Sequence, residues 1–118
     1  MNEEREHLLK EAFASLYGDL SGFACGDGWH GILSDIGRAL DGLPVRALQV
    51  KEKFGTLRVY VTEDESISEE IRTFVDEAVR EAERASSITC EECGSPGSMV
   101  RGAWWRTLCL SCEQVSRF

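Results

Sequence analysis

Two periodicities divide the chain. Leu8, Leu9, Ala12, Phe13, Leu16 and Tyr17 recur at helical spacing, while Glu3, Glu4, Arg5 and Lys10 fall elsewhere. That spacing predicts one amphipathic helix over residues 3–17. Acidic residues in its first turn suit the positive end of the helix dipole, and Gly18 and Asp19 end it. A glycine-rich loop follows over residues 18–28, with Asp27 placed as the N-cap of a second helix. In that helix, over residues 28–40, Trp29, Ile32, Leu33, Ile36 and Leu40 form the apolar stripe. Gly42 and Pro44 stop it.

Over residues 45–61 the period drops from 3.6 to 2. Leu48 and Val50 alternate with Gln49 and Lys51, and Leu57, Val59 and Val61 alternate with Arg58 and Tyr60. The reading is a β-hairpin that turns at Lys53-Phe54-Gly55. Its apolar face packs on the helices, and its other face gathers Lys51, Lys53, Arg58 and Tyr60. A slip of one residue in register would exchange the two faces. After an acidic connector, Ser66 and Glu69 form a capping box for a third helix. Ile67, Ile71, Phe74, Val75, Ala78, Val79, Ala82 and Ala85 are its buried stripe, and it ends near Ser86.

The periodic signal then stops and cysteines take over. Cys90-Glu91-Glu92-Cys93 is followed after fifteen residues by Cys109-Leu110-Ser111-Cys112. A Cys-x-x-Cys turn holds two sulfurs about one metal's width apart, and two such turns across a hairpin offer four thiolates in a tetrahedron, which suits Zn²⁺. Two disulfides or a redox dithiol are the alternatives, but a redox Cys-x-x-Cys usually stands alone at a helix start. Gly94 follows the first pair, where the knuckle needs tight backbone geometry. Residues 99–101 and 104–108 are candidate short strands, and residues 113–118 a tail with one helical turn. Roughly 25 residues cannot build a sufficient core alone, so the metal is needed to fold them. Catalytic zinc keeps one position open for water; four thiolates leave none, which makes this zinc structural.

The fold class expected is therefore α+β: helices packed on a β-hairpin, with residues 1–86 as one domain and residues 87–118 as a Cys₄ zinc ribbon. With 118 residues, 42% of them hydrophobic and 29% charged, the composition is globular. No apolar run reaches the roughly 20 residues that a membrane span needs, and the acidic N-terminus is unlike a signal peptide. A cytoplasmic setting is expected, in keeping with cysteines reduced for metal. Net charge is −8, unevenly placed: −5 over residues 1–44, +3 over 45–61, −6 over 62–86, and neutral thereafter. Such a chain repels nucleic acid at long range and favours a protein partner. The acidic helices read as solvated faces, or as a mimic of nucleic-acid charge that docks on a basic groove.

Three further groups of residues are candidates for chemistry. Trp104 and Trp105, on a strand, would face opposite sides, so that both pack or one covers the knuckle or core and the other is exposed; as a binding element, flanked by Arg101 and Arg106, they would anchor a partner. The basic island Lys51, Lys53, Arg58 and Tyr60 is a solvated strand face, an anion contact or a protein contact. Cys25, Asp27 and His30 offer a thiol, a carboxylate and an imidazole, yet Asp27 is accounted for as a cap, Trp29 as core and Cys25 as a small buried residue. A Cys–His nucleophile would also need a base within reach and an oxyanion site.

Cys25-Gly-Asp-Gly-Trp29, Gln49-Val-Lys-Glu-Lys-Phe-Gly-Thr-Leu-Arg58 and the ribbon Cys90-x-x-Cys93…Trp105…Cys109-x-x-Cys112 together resemble a family of small uncharacterised proteins of bacteriophages and prophages. No activity is carried over from that family. The resemblance implies a small accessory protein of a mobile element that binds and inhibits or modulates a host protein complex, an anti-CRISPR-like inhibitor of host defence being one form. A nucleic-acid-binding zinc ribbon is the second expectation, and an enzyme using Cys25, Asp27 or His30 the third.

Overall fold

The computed structural model describes residues 1–116 and is a mixed α/β arrangement built on one antiparallel hairpin. The first amphipathic stretch is two helices rather than one, α1 (Glu3–Ala12) and α2 (Ala14–Tyr17). They break at Phe13, whose backbone leaves helical geometry at φ −127°, ψ 56°. The ring of Phe13 sits against Gly37 of α3 (His30–Leu40), where any Cβ would collide with it. Phe13 also meets Tyr17 edge-on at 6.2 Å. Packing on the second helix thus overrides the continuous helical period.

The second helix starts with a 3₁₀ turn, Asp27–Trp29, and continues as α3. Asp27 does not cap it, because the turn begins at Asp27 itself. Its carboxylate instead accepts from the Asn2 backbone N–H at 2.8 Å and from the Asn2 side chain at 3.3 Å. Asn2 in turn caps α1 by accepting from the Arg5 N–H. One carboxylate therefore fastens the start of the chain to the glycine loop.

The hairpin is β1 (Val45–Lys53) and β2 (Thr56–Glu63), closed by the two-residue turn Phe54-Gly55. Both turn residues have positive φ, 53° and 84°, as a turn that matches strand twist requires. Gly55 meets that demand freely, whereas Phe54 is a bulky residue in a region L-residues rarely occupy. The Glu52 side chain accepts from the Gly55 N–H at 2.7 Å and ties the turn down. The register shifts between Ala47 and Gln49, so strict alternation fails there. Val45, Ala47 and Val50 point inward, and Leu48, expected on the apolar face, is 63% exposed. A bulge advances the chain by one residue and changes which side chains face the core. Ala24 bridges to Lys51 on the outer edge of β1 and shortens the open edge.

The third amphipathic helix is α4 (Glu69–Ser86). Its cap is Ser68, whose hydroxyl accepts from the Ile71 N–H, not Ser66. Ser66 is taken by a turn of its own, donating its N–H and hydroxyl to Asp64. Val75 and Ala82 are buried, while Phe74 is half exposed. α4 packs against α3 as well as β2, and Ile71, Ala78 and Val79 join the core there while Phe74 does not. At the far end Ser86 is buried and accepts from the Leu57 N–H of β2 at 2.9 Å.

Trp29, Tyr17, Leu33, Leu40, Val50, Leu57 and Val75 form one core between helices and hairpin. Tyr17 donates its hydroxyl to the Leu33 carbonyl within it. The C-terminal segment carries β3 (Ser98–Val100) and β4 (Arg106–Leu108), paired antiparallel, then α5 (Leu110–Ser116). The expected tail thus begins earlier as a helix, and residues 117–118 lie outside the described residues. No helix among the described residues is long and apolar enough to cross a membrane.

Candidate metal centre and aromatic tip

Cys90, Cys93, Cys109 and Cys112 converge, with all four sulfurs within 4.8 Å of one another. Each pair reaches the centre on its own turn. After α4 the chain bends so that the Cys90 N–H donates to the Ser95 carbonyl and the Gly94 N–H to the Cys90 carbonyl; Gly94 takes φ 84° to close the turn. The second pair follows β4, and the Cys112 N–H points at the Cys109 sulfur. Cys93 and Cys109 lie 3.7 Å apart. That is too far for a disulfide, whose S–S bond is about 2.05 Å. It is close to the ~3.8 Å edge of a tetrahedron built on metal–sulfur bonds of about 2.3 Å. The donor set and its spacing fit a four-thiolate metal site. Hydrogen bonds from the side chain and backbone of Ser95 lower the Cys93 thiol, whereas the hydrogen bond with Cys109 raises the Cys112 thiol, so the crowded sulfurs divide between thiolate and thiol character.

The first knuckle is seated on the glycine loop. The Gly28 N–H donates to the Glu91 carbonyl at 2.7 Å, the Gly26 N–H to the Glu91 carboxylate at 2.9 Å, and the Trp29 indole to the Thr89 carbonyl at 2.9 Å. A Cβ at Gly28 would run into the Cys90 carbonyl. The Cys25-Gly-Asp-Gly-Trp29 stretch is therefore the cradle of the first Cys-x-x-Cys knuckle. The turn of the hairpin is held too, since Thr107 donates its hydroxyl to the Gly55 carbonyl at 2.7 Å in a buried bond.

This docking creates a surface that neither segment has alone. Trp104 and Trp105 are not on a strand and do not both pack; they lie in the loop before β4 and are 82% and 45% exposed. Strand pairing stops at Val100 and Arg106, so nothing holds residues 101–105 in extended alternation. Trp105 meets Phe54, itself 65% exposed, edge-on at 6.3 Å. Arg101 lies 5.0 Å from the centre of the Trp105 ring, and Lys53 Nζ 5.8 Å from that of Phe54. Arg106 reaches back to Glu92, and to Glu91 at 3.7 Å. Burial pushes the Glu91 carboxyl above the usual carboxylate range, against the opposing Gly26 N–H and Arg106 charge.

The basic island is divided. Lys51 and Arg58 are opposite one another in the hairpin, and Lys51 lies 5.5 Å from the Tyr60 ring. Arg58, however, is paired with Glu83 of α4 at 2.6 Å. Other acids of α4 are also engaged: Glu81 with Arg84, and Glu69 with Arg72, which also reaches Glu63. Lys53 alone of the island joins the aromatic tip.

Cys25 and His30 share no hydrogen bond among the described residues, and His30 Nε2 is buried without a partner. Burial pushes the Cys25 thiol up to about 12, and burial also lowers the His30 imidazole. Asp27 is committed to Asn2. A thiol in that state is the opposite of an activated nucleophile.

Sequence reasoning passed over Phe54, Glu91 and Glu52. Phe54 had a signal: a large aromatic at a hairpin apex, where Asn or Gly is the usual choice. Glu91 had none, because a spacer inside Cys-x-x-Cys is silent until the fold buries it. No protein-family model matches the chain, and no match was found among curated proteins or among solved structures.

Proposed function

We propose that this protein is a non-catalytic interaction module in which a structural zinc ribbon presents an aromatic–arginine tip to a protein partner. Zinc is the metal that a closed set of four thiolates suits best, and such a set leaves no open position for catalysis. The observation that carries the reading is the exposure of Trp104, Trp105 and Phe54 around one pocket, with Arg101 over the Trp105 ring. Tryptophan and arginine dominate binding hot spots, and contiguous exposed aromatics mark interaction surfaces. The net charge of −8 favours a protein partner over nucleic acid.

The resemblance to phage and prophage proteins directs the reading to a bacterial host protein, inhibited or modulated by the contact, with a nuclease-type defence complex as one target. Tagged protein expressed in a bacterial host is expected to co-purify with one stoichiometric protein, and the Trp104→Ala/Trp105→Ala double variant to lose it. Recovery of no such partner, or full retention by the double variant, would sink the proposal. A second reading rests on the same tip: aromatic rings beside Arg101 and Lys53 are also a platform for single-stranded nucleic acid. It calls for a salt-sensitive gel shift with single strands, and no shift at low salt removes it.

A further inference from the structure

Beside the exposed rings lies a pocket of about 450 Å³, lined by Glu52, Phe54, Glu91, Trp104, Trp105 and Arg106. Three of these residues are aromatic, two are acids, and the sixth, Arg106, is a cation already paired with Glu92. Glu91 is only 6% exposed. One of its carboxylate oxygens accepts from the Gly26 N–H, and the other, Oε1, has no hydrogen bond. The nearest cation, Arg106, stands 3.7 Å from Oε1, beyond hydrogen-bonding reach, and its guanidinium is drawn to Glu92. A buried carboxyl oxygen without a hydrogen-bond donor is costly, and an arriving N–H group would relieve it.

The rings point to the same kind of occupant. An aromatic face attracts a cation through its quadrupole. Within the molecule Arg101 already lies over Trp105 and Lys53 over Phe54, and neither of these cations lines the pocket. Trp104, the most exposed ring, has no such cation over it among the described residues. A nucleobase could stack on the same rings, but it would bring its phosphate against Glu52 and Glu91 in a chain of net charge −8.

We infer that the pocket receives a lysine-type ammonium from the protein partner, held between the Trp104 and Phe54 rings with Glu91 as its counter-ion. This rests on the protein-binding reading of the tip and names the partner chemistry that the tip selects. Glu91 sits in the knuckle beside Cys90, so the metal centre sets the position of the counter-ion.

The test follows the tryptophan indole N–H resonances of the zinc-loaded full chain. Three probes are titrated: an acetylated and amidated Gly-Gly-Lys-Gly-Gly peptide, the same peptide with an acetylated lysine amine, and a ten-residue oligothymidylate. The lysine peptide is expected to shift the Trp104 and Trp105 resonances saturably, and the acetyl-lysine peptide and the oligonucleotide to leave them in place. Glu91→Gln keeps the acceptor for Gly26 and should weaken the lysine peptide tenfold or more with zinc content unchanged. Trp104→Ala, at an exposed site, should abolish the response. Glu77→Gln on the exposed side of α4 should leave it as in the parent. An equal response to acetyl-lysine, an unchanged affinity in a zinc-loaded Glu91→Gln, or a response to the oligonucleotide alone would overturn the inference. Its failure is separable from that of the proposed function. A partner whose capture depends on Trp104 and Trp105, found together with resonances unmoved by lysine, would keep the protein contact and discard the cation pocket.

Discussion

At the scale of single residues, burial decides what each side chain is able to do. Cys25 is the clearest case. The native state keeps its proton until about pH 12, whereas an exposed thiol gives it up near 9.0. Between those values the unfolded chain binds fewer protons than the native one, so stability falls as pH rises. Urea denaturation from pH 8 to 11 should show a steeper loss for the parent than for Cys25→Ala. Parallel slopes would contradict the buried, protonated thiol. Below pH 8 the same group stays unreactive toward thiol reagents until the protein unfolds. Glu91 and Phe54 follow the same logic, since one spacer and one turn residue acquire roles only through their surroundings.

Glycines and caps act at the scale of the element. Two glycines on α3 have opposite demands. A Cβ at Gly31 meets nothing within 4 Å, while one at Gly37 collides with the Phe13 ring. Gly31→Ala is therefore expected to stabilise by up to about 1 kcal/mol through helix propensity. Gly37→Ala should destabilise by roughly 1–3 kcal/mol through overpacking. Chemical denaturation of the two variants checks the sign, and stabilisation by Gly37→Ala would refute the packing account of the break between α1 and α2. On α4, Ser68→Ala should cost about 1 kcal/mol as a lost N-cap, and Ser66→Ala only a few tenths, because its bonds to Asp64 are exposed. Equal costs would return the cap to Ser66.

For the molecule as a whole, the metal segment and the rest of the chain hold one another. The knuckle is bonded to Gly26, Gly28 and Trp29, and β4 is bonded to the hairpin turn through Thr107. Loss of metal should therefore be felt beyond residues 87–118. Protein purified under reducing conditions is expected to carry one zinc per chain. A strong chelator should lower Tm by roughly 10 °C or more, because a few kcal/mol of metal binding is lost and each shifts Tm by about 4 °C in a chain of this size. It should also scatter the Phe54–Trp105 pair, read as a change in tryptophan emission. A chain that binds no zinc, or that keeps its Tm after chelation, would refute the stapled scaffold.

Much of this architecture is legible from one residue to the next. Helices, hairpin and metal segment follow from periodicities of 3.6 and 2 and from the doubled Cys-x-x-Cys. Each is a local rule: side chains a fixed number of residues apart must share a face, and two sulfurs on one turn must lie close. The hairpin apex at residues 53–55 and the convergence of the four cysteines follow the same logic. What local rules could not reach depended on contacts between distant segments. Phe13 breaks its helix because Gly37 is 24 positions away. The bulge between Ala47 and Gln49 turns Leu48 outward only once β2 is its partner. Arg58 loses its freedom to Glu83, and Asp27 gives up its expected cap for Asn2. The pocket of Phe54, Glu91 and Trp104 joins three stretches that share no periodicity. The sequence by itself determined most of the helices, the hairpin and the pairing of the cysteines within each Cys-x-x-Cys turn, because those depend on neighbours along the chain. The tertiary structure alone decided which aromatics stay exposed and which carboxylate is buried beneath them, because burial is a property of the packed whole.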